Sequence, residues 1–311
     1  MSGIGIVINP YSRSHRKDPA KAERLGFIVG EKASCHTTQD LSDVEKLASE
    51  FKEKNIEILG LSGGDGTIHK TLTTFIKVYG DRELPKIALL RGGTMNNLAN
   101  SLKIRRPPEQ IISNLILKYH EDIPFEETEM DILKVNDHYG FIFGMGLVSR
   151  FIERYSQHKN GDPTPWYGLA LLIRTMLSAL FNGKQAFSMC ERFDAKITVD
   201  GNPAPFKNYM TIFAGTTESL GFHFNPLYRT REIPGKFQFV GISTAPRSLL
   251  FTFPNAFFSR PSGSDDYYDV VGEKVTIELD KPISYIIDGD IPEETTRIEL
   301  SLGPRLKMII S

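Results

Sequence analysis

Residues 61–67 read Leu61-Ser62-Gly63-Gly64-Asp65-Gly66-Thr67 and directly follow the largely apolar run 56–60. Residues 91–97 read Arg91-Gly92-Gly93-Thr94-Met95-Asn96-Asn97 and follow the apolar run 87–90 in the same way. Each place predicts a buried strand that passes into a polar turn and then a helix. Glycine lets a backbone approach a ligand and leaves successive N–H groups exposed, and a helix N-terminus favours an anion. Two such turns at strand ends predict one crevice that binds the phosphates of a nucleotide from two sides.

The first part of the chain alternates predicted strands and helices. Apolar runs predict buried strands over 4–8, 25–29, 56–61 and 87–90. Helices are predicted over 67–78, after Pro107-Pro108, and behind a Ser42–Glu45 capping box, where the apolar residues Val44, Leu47, Ala48 and Phe51 share one helix face. This order is typical of a doubly wound, mainly parallel sheet that binds ligands at the carboxyl ends of its strands.

After about residue 128, short β-rich segments separated by turn signals replace this alternation. They are predicted over 132–135, 139–143, 195–199, 209–214, 236–242, 274–279, 283–287 and 297–302. We therefore expect an α/β nucleotide-binding domain over 1–128 and a β-sandwich-like domain over 129–311, with the last strand free to return to the first domain.

Composition excludes several other classes of protein. The formal net charge of -1 argues against a dedicated nucleic-acid binder. Cys35 and Cys190 are too few for a disulfide framework and carry no metal-ligand spacing. The basic run at residues 13–17 could help to bind a nucleotide, although a solvated loop is the more common explanation of such a run. For Arg13, a contact with phosphate and a solvated surface charge are equally good explanations. No secretory leader or bilayer-length apolar segment is visible, so we expect a cytoplasmic protein, peripheral at most at a membrane.

The second glycine turn narrows the choice of family. The first turn, Gly-Gly-Asp-Gly-Thr, also occurs in NAD kinases and phosphofructokinases. Residues 93–99, Gly-Thr-Met-Asn-Asn-Leu-Ala, resemble the Gly-Thr-x-Asn-Asp-Phe-Ala element of the diacylglycerol kinase catalytic family, which includes sphingosine kinases and soluble bacterial lipid kinases. Three other segments resemble that family in the same chain order: Asn9–Ser12, Asp131–Asn136 with Phe141–Gly146, and Tyr285–Asp290.

The resemblance implies an N-terminal nucleotide-binding domain, a C-terminal β-sandwich and a cleft in which a lipid alcohol accepts phosphate. ATP and Mg²⁺ are the implied cofactors. The expected partners are a lipid alcohol substrate and a membrane surface in transient contact, with no nucleic acid; a homodimer is left open.

The candidate phosphate cradle consists of Gly63, Gly64, Gly66 and Thr67. A tight strand-to-helix turn would explain these glycines without any ligand. It would explain Asp65 poorly, because a carboxylate among phosphate-binding amides suits a neighbouring cation. Asp65 is therefore the candidate metal ligand and a candidate catalytic residue.

The resemblance adds further nucleotide-binding candidates, and it implies that Asp290 is the general base for the lipid hydroxyl. The Asp288-Gly289 pair would also suit a simple hairpin turn. Thr37 is nearly as good a candidate as Thr38, and His69 is more typical of a capping or packing residue. The added nucleotide-binding candidates are Asn9, Thr38, Ile68, His69, Thr94 and Asn96.

Three departures from the family pattern leave alternatives open. Asn97 stands where the family usually has aspartate, leaving Asp65, Asp131 and Asp290 to hold the metal, and Asp290 is one methylene shorter than the family's glutamate. Residues 234–238 lack the aspartates that hold a structural Mg²⁺ in bacterial members, so this second metal is expected to be missing. A catalytically impaired nucleotide-binding regulator is the main alternative, and an NAD kinase is the other.

Two apolar segments offer material for an acceptor pocket. The helix predicted over 166–180 carries Trp166, Leu169, Leu172, Ile173, Met176, Leu177 and Leu180 at helical spacing, and most of these are expected in the core. Residues 253–258 are aromatic-rich and are considered as a loop that lines a lipid site or dips into a membrane.

Overall fold

The computed structural model describes residues 3–30, 33–93, 96–157, 164–181, 183, 188–219, 224–230 and 232–310. The chain divides into two structural units. The first comprises Met1–Asp131 and Pro304–Ser311, and the second comprises Ile132–Gly303.

Parallel strands form the sheet of the first unit: β1 (Ile4–Ile8), β2 (Ser34–Thr37), β3 (Ile58–Ser62) and β4 (Lys86–Leu89). Their order is β4-β3-β1-β2, and the end of β16 (Thr295–Ile310) pairs with β4 in parallel. Every residue of β1 and β3 is buried, because helices cover both faces of such a sheet. The predicted parallel sheet is confirmed.

The helices of this unit lie between the strands along the chain. They are α1 (Arg13–Lys17), α2 (Ala20–Val29), α3 (Leu41–Glu53), α4 (Asp65–Tyr79), α5 (Asn97–Ser101) and α6 (Pro108–His120). The predicted buried face of α3 is confirmed. Its cap is not the predicted Ser42–Glu45 box, because the Asp40 side chain accepts the Asp43 N–H at 3.0 Å.

The strand predicted over 25–29 is wrong, since these residues end α2. Leu25 and Val29 are buried one helical turn apart, whereas Phe27 between them is 89% exposed. A strand would have placed all three on one face. The true second strand, β2, is short and only partly buried, so an apolarity criterion missed it.

The second unit contains most of the remaining strands. They are β5 (Glu126–Val135, which begins in the first unit), β6 (His138–Gly140), β7 (Ile142–Gly146), β8 (Phe193–Val199), β9 (Asn202–Pro203), β10 (Asn208–Tyr209), β11 (Thr211–Gly215), β12 (Phe237–Ile242), β13 (Tyr267–Gly272), β14 (Val275–Ile283) and β15 (Tyr285–Ile287).

These strands form a sandwich. One antiparallel sheet has the order β13-β12-β11-β7-β15, and the other runs β10-β8-β14-β16 within this unit. Phe143 and Phe239 of the first sheet share one buried cluster with Ile197 and Ile277 of the second. The predicted β-sandwich-like fold of the second part of the chain is confirmed, and its two sheets are antiparallel.

The second unit also carries the helices α7 (Leu147–Ser156), α8 (Pro165–Leu180) and α9 (Pro246–Phe257). The predicted helix at α8 is confirmed, but the expectation that most of its apolar residues lie in the core is wrong. Five of the seven are exposed: Trp166, Leu169, Ile173, Leu177 and Leu180. No helix in the described ranges is both long enough and apolar enough to cross a bilayer.

Residues 253–257 belong to α9, so the loop expected over 253–258 is helical for most of its length. Phe258, just after the helix, is 69% exposed. The side chains of Phe251, Phe253 and Phe257 lie outside the described part of the structure.

Candidate active site

The loops that follow β1, β2, β3 and β4 lie together at one edge of the first unit's sheet, because parallel neighbouring strands end on the same side. Backbone hydrogen bonds continue past the strand ends and hold these loops side by side. They join Asn9 N–H to Ser62 O at 2.9 Å, Thr38 N–H to Ile8 O at 3.0 Å, and Gly92 N–H to Gly63 O at 2.9 Å.

The two glycine turns pack backbone against backbone. A Cβ atom added to Gly93 would lie 2.4 Å from Gly64 Cα, and one added to Gly92 would lie 2.7 Å from the Gly63 nitrogen. No side chain larger than hydrogen fits there without displacing the other turn. Gly92 and Gly93 are therefore required by the contact between the turns themselves.

Gly66 differs from these glycines. A Cβ atom there would meet no atom within 4 Å, so packing does not demand glycine at this position. It lies in the first turn of α4, whose N-cap residue Gly64 provides no side-chain hydrogen bond. The first N–H groups of a helix have no intrahelical acceptor, and the helix dipole favours an anion beside them. The arrangement suits a phosphate group close to the backbone at Gly66.

Asp65 links the two turns through its carboxylate. One oxygen accepts the Asn97 N–H at 3.0 Å and the other accepts the Leu98 N–H at 3.3 Å. Burial raises the pKa of the Asp65 carboxyl, and the hydrogen bonds from Asn97 and Leu98 oppose that rise. Asp65 therefore caps α5 from the neighbouring turn. The described residues hold no group of three or more histidine, cysteine, aspartate or glutamate side chains that could bind a metal.

Asn9 joins the β1 loop to α4. Its Nδ2 donates to Thr67 Oγ1 at 2.8 Å, and its Oδ1 accepts the Tyr11 N–H at 2.8 Å. The structure thus brings together two predicted nucleotide-binding residues, Asn9 and Thr67.

Asn96 uses its side chain within its own turn. Its Oδ1 accepts the Gly93 N–H at 2.9 Å and its Nδ2 donates to Gly93 O at 3.1 Å. The residue has φ 49°, a left-handed conformation that asparagine tolerates better than most residues. These contacts assign Asn96 a structural role at the second turn. The neighbouring candidate, Thr94, lies outside the described residues.

The remaining predicted site residues of the first unit are buried or paired with another side chain. Ile68 and His69 are buried in α4, and Thr38 is buried at the end of β2. Asp131, counted among the carboxylates for a metal, pairs with Arg305 through Oδ1 and Nε at 3.3 Å.

His15 belongs to the run that is more commonly explained as a solvated loop, and that explanation is wrong for this residue. His15 is 2% exposed, and its Nε2 lies 2.9 Å from Ser62 Oγ, directly before the first glycine turn. Burial lowers the pKa of His15, and the nearby Lys21 lowers it further. Only the placement of α1 over β3 brings them together, so no local pattern could have found this contact.

Asp290 belongs to the second unit and follows a two-residue hairpin turn. Asp288 and Gly289 have φ 50° and 83°, as a type I′ turn requires, and the backbones of Ile287 and Asp290 exchange two hydrogen bonds of 2.9 Å. Asp290 is partly exposed. The hairpin and a catalytic role are therefore compatible.

Asp288 anchors this turn, a role that the sequence did not indicate. Its carboxylate accepts the N–H groups of Phe141 and Ile142, each at 2.9 Å, and its own N–H donates to Ile142 O at 3.0 Å. The turn is thereby fixed at the entry to β7.

This chain is similar in sequence to known proteins. Residues 4–125 match the family model of the diacylglycerol kinase catalytic domain. The protein named "Probable lipid kinase YegS" from Salmonella arizonae is 31% identical over 155 residues, which are 47% of this chain and 49% of that protein. A "Probable lipid kinase YegS-like" protein from Klebsiella pneumoniae is 30% identical over 49% of this chain and 50% of its own length. The alignments thus span about half the length of the curated relatives.

Solved structures show the same fold over nearly the whole chain. A diacylglycerol kinase structure from Bacillus anthracis str. Sterne aligns with TM-score 0.67 and 15% identity, covering 99% of this chain and 96% of that one. Another structure from that organism aligns with TM-score 0.72 and 17% identity over the same shares. Residues 4–125 of this chain are thus similar to the diacylglycerol kinase catalytic domain.

Proposed function

We propose that the protein is a lipid kinase that uses ATP with Mg²⁺ and transfers the γ-phosphate to the hydroxyl group of a lipid alcohol, such as diacylglycerol or a sphingoid base. The observation that carries the proposal is the open space at Gly66, in the first turn of α4. Relatives named as lipid kinases support a lipid acceptor.

Phosphate binding falls to the backbone of the first glycine turn and of α4. The N–H groups of the first helical turn donate to phosphate oxygens, and the absence of a Cβ at Gly66 lets those oxygens approach. Thr67 adds a hydroxyl that Asn9 holds in place. Phosphoryl transfer is catalysed mainly by such positioning and by charge stabilisation.

Asp65 is the residue that would hold Mg²⁺. In kinase sites this ion is typically bound by one or two carboxylates together with substrate phosphates, so a cluster of protein ligands is not needed. The N–H groups of Asn97 and Leu98 orient the carboxylate, and each of its oxygens has a second lone pair for a cation. When bound, Mg²⁺ would neutralise the negative charge that develops on the phosphate oxygens.

Asp290 removes the proton from the acceptor hydroxyl. Its carboxylate follows a turn whose backbone is fixed by Asp288, and such fixation is what a positioned general base requires. The short side chain of aspartate makes this backbone placement important.

The test is phosphate transfer from labelled ATP with Mg²⁺ to diacylglycerol, sphingosine or a total lipid extract, with Gly66→Ala as the variant. The new methyl group occupies the space assigned to phosphate, and we expect kcat/KM to fall by about a hundredfold. Gly26→Ala is the matched control, because Gly26 also lies in a helix with no atom within 4 Å of an added Cβ. Its activity should equal that of the wild type.

Other outcomes would assign a different function. Nucleotide binding that Gly66→Ala abolishes, without transfer to any lipid, would favour the nucleotide-binding regulator, which Asn97 and the short Asp290 already suggest. Transfer to NAD in a lipid-free reaction would make the protein an NAD kinase. Equal activity of Gly66→Ala and Gly26→Ala would contradict the assigned phosphate site.

A further inference from the structure

His15 is a buried histidine beside the first glycine turn. Its side chain is 2% exposed, and its Nε2 lies 2.9 Å from the hydroxyl oxygen of Ser62, which is itself 1% exposed. Ser62 is the last residue of β3, and Gly63 follows it directly. The hydrogen bond therefore fixes the point at which the backbone leaves the sheet and enters the turn that is assigned to phosphate.

The segment that precedes and includes this histidine, residues 9–15, contacts both glycine turns. The Asn9 N–H donates to Ser62 O at 2.9 Å, and the Ser14 N–H donates to Gly92 O at 3.3 Å. Ser62 is thus held through its backbone as well as through its side chain. Because the same segment also bonds to the second turn, its position sets how the two turns lie beside each other.

Histidine is an unfavourable residue for this position if packing is its only role. The Nδ1 atom of His15 is buried and has no hydrogen-bond partner among the residues that the structure describes. A buried polar atom without a partner costs free energy, and leucine would fill a similar space without that cost. A residue that is unfavourable for stability is expected mainly at a functional site.

A second serine–histidine pair in the same unit offers a comparison. Ser34 Oγ lies 2.6 Å from His36 Nε2, so the two pairs use the same hydrogen-bonding groups. Both residues belong to β2, and Ser34 is the first residue of that strand, whereas Ser62 ends β3. The ring of His36 also packs against Phe51, with centroids 5.7 Å apart. The pairs therefore differ in their position relative to the glycine turns and not in their chemistry.

We propose that His15 is a positioning residue for the nucleotide, because through Ser62 it fixes the first glycine turn in the geometry that binds phosphate. The proposal rests on the proposed function, which assigns the phosphate to this turn. Small errors of placement matter in such a site, since a displacement of about 1 Å can cost about a hundredfold in rate. Loss of the hydrogen bond should therefore weaken nucleotide binding and leave the transfer step unchanged.

The decisive variant combines His15→Leu with Ser62→Ala, which replaces both partners of the hydrogen bond by apolar groups. Such a replacement is nearly neutral or stabilising, because neither partner is left buried and unpaired. We expect the double variant to unfold at the same urea concentration as the wild type or at a higher one. Its affinity for β,γ-imido-ATP with Mg²⁺, measured by titration calorimetry, should nevertheless fall by about tenfold.

Steady-state kinetics and two further variants separate positioning from a purely structural role. In the double variant the KM for ATP should rise by about tenfold, while kcat at saturating ATP should stay within about twofold of the wild-type value. His15→Gln should retain most of the affinity, because its amide can still bond to the Ser62 hydroxyl. The matched control combines Ser34→Ala with His36→Leu and should bind the nucleotide like the wild type.

Three results would overturn the proposal: wild-type affinity in the double variant at positions 15 and 62, affinity that falls only in variants that also lose stability, or an equal loss of affinity in the control. The outcome for the proposed function is separate. Nucleotide binding as expected, without transfer to any lipid, would refute the lipid kinase and leave the role of His15 in place. Transfer to lipid with the same KM for ATP in every variant would refute only the role of His15.

Discussion

Each unit contains an aspartate that clamps backbone N–H groups, but the two clamps relate differently to the predicted chemistry. Asp65 receives two N–H groups at the start of α5, and Asp288 receives two at the entry to β7. In the first unit the clamp is itself the predicted metal ligand. In the second unit the predicted base is Asp290, two residues after the clamp. The clamp and the proposed base of the second unit are therefore two different aspartates, whereas the clamp and the proposed metal ligand of the first unit are one.

Asp290→Asn should produce the largest effect on activity. Loss of the general base is expected to lower kcat by about 10²–10⁴-fold. Stability should change little, because the hydrogen bonds that close the turn use the backbone of Asp290. Initial rates at saturating ATP and urea unfolding of the same samples measure the two quantities.

Asp290→Glu is the control for this prediction, since it keeps a carboxylate and restores the family's longer side chain. It should retain more activity than Asp290→Asn. If Asp290→Asn lost stability together with activity, Asp290 would also have a structural role. The second unit would then not divide the structural role and the role of base between two aspartates.

Asp288→Asn should show the reverse pattern. It removes the same charge two residues earlier, and asparagine tolerates the left-handed conformation at φ 50°. Hydrogen bonds to a charged group contribute about 1.5–3 kcal/mol each, so we expect a loss of about 1–3 kcal/mol in the free energy of unfolding. Urea unfolding beside Asp290→Asn measures the difference, and equal stability of the two variants would contradict the assignment of Asp288 as the clamp.

The sequence predicted the parallel sheet and the two strand-to-helix glycine turns well because their signals are local. A buried strand, a glycine turn and a helix start are adjacent in the chain, so the parallel sheet and the first turn of α4 could be read from residues 56–78. The sequence did not show which of the glycines are required by packing and which leave space for a ligand. Gly93 is required by contact with Gly64, whereas Gly66 faces open space, and this difference depends on how two distant turns meet.

Burial was the property that the sequence predicted least well. Periodicity shows which side chains share a face but not whether another element covers that face. Residues 25–29 were assigned to a strand because the sequence does not show that Phe27 is exposed. Helix α8 was assigned to the core because both of its sides are apolar. The role of Asp288 was not predicted either, because the N–H groups that its carboxylate accepts lie at the entry to β7, far away in the chain.

The smallest predicted effect concerns His15, whose Nε2 lies 2.9 Å from Ser62 Oγ, directly before the first glycine turn. Burial lowers the pKa of His15 in the folded protein below its ordinary value near 6.5. Above that value both the folded and unfolded states hold a neutral imidazole. As the pH falls through it, the unfolded state binds a proton before the folded state does, so the free energy of unfolding decreases by at most about 1.4 kcal/mol per pH unit.

His15→Gln should remove this decrease, while His120→Gln, which changes an exposed histidine of the same unit, should leave it in place. Urea unfolding between about pH 5 and pH 8 measures the slopes. Identical slopes in both variants would place the pH sensitivity elsewhere. A slope lost only in His15→Gln would show that the fold around the first turn favours a neutral imidazole at position 15, because burial lowers the pKa of His15. The first unit would then differ from the second in the protonation of a buried group as well as in the placement of its clamp.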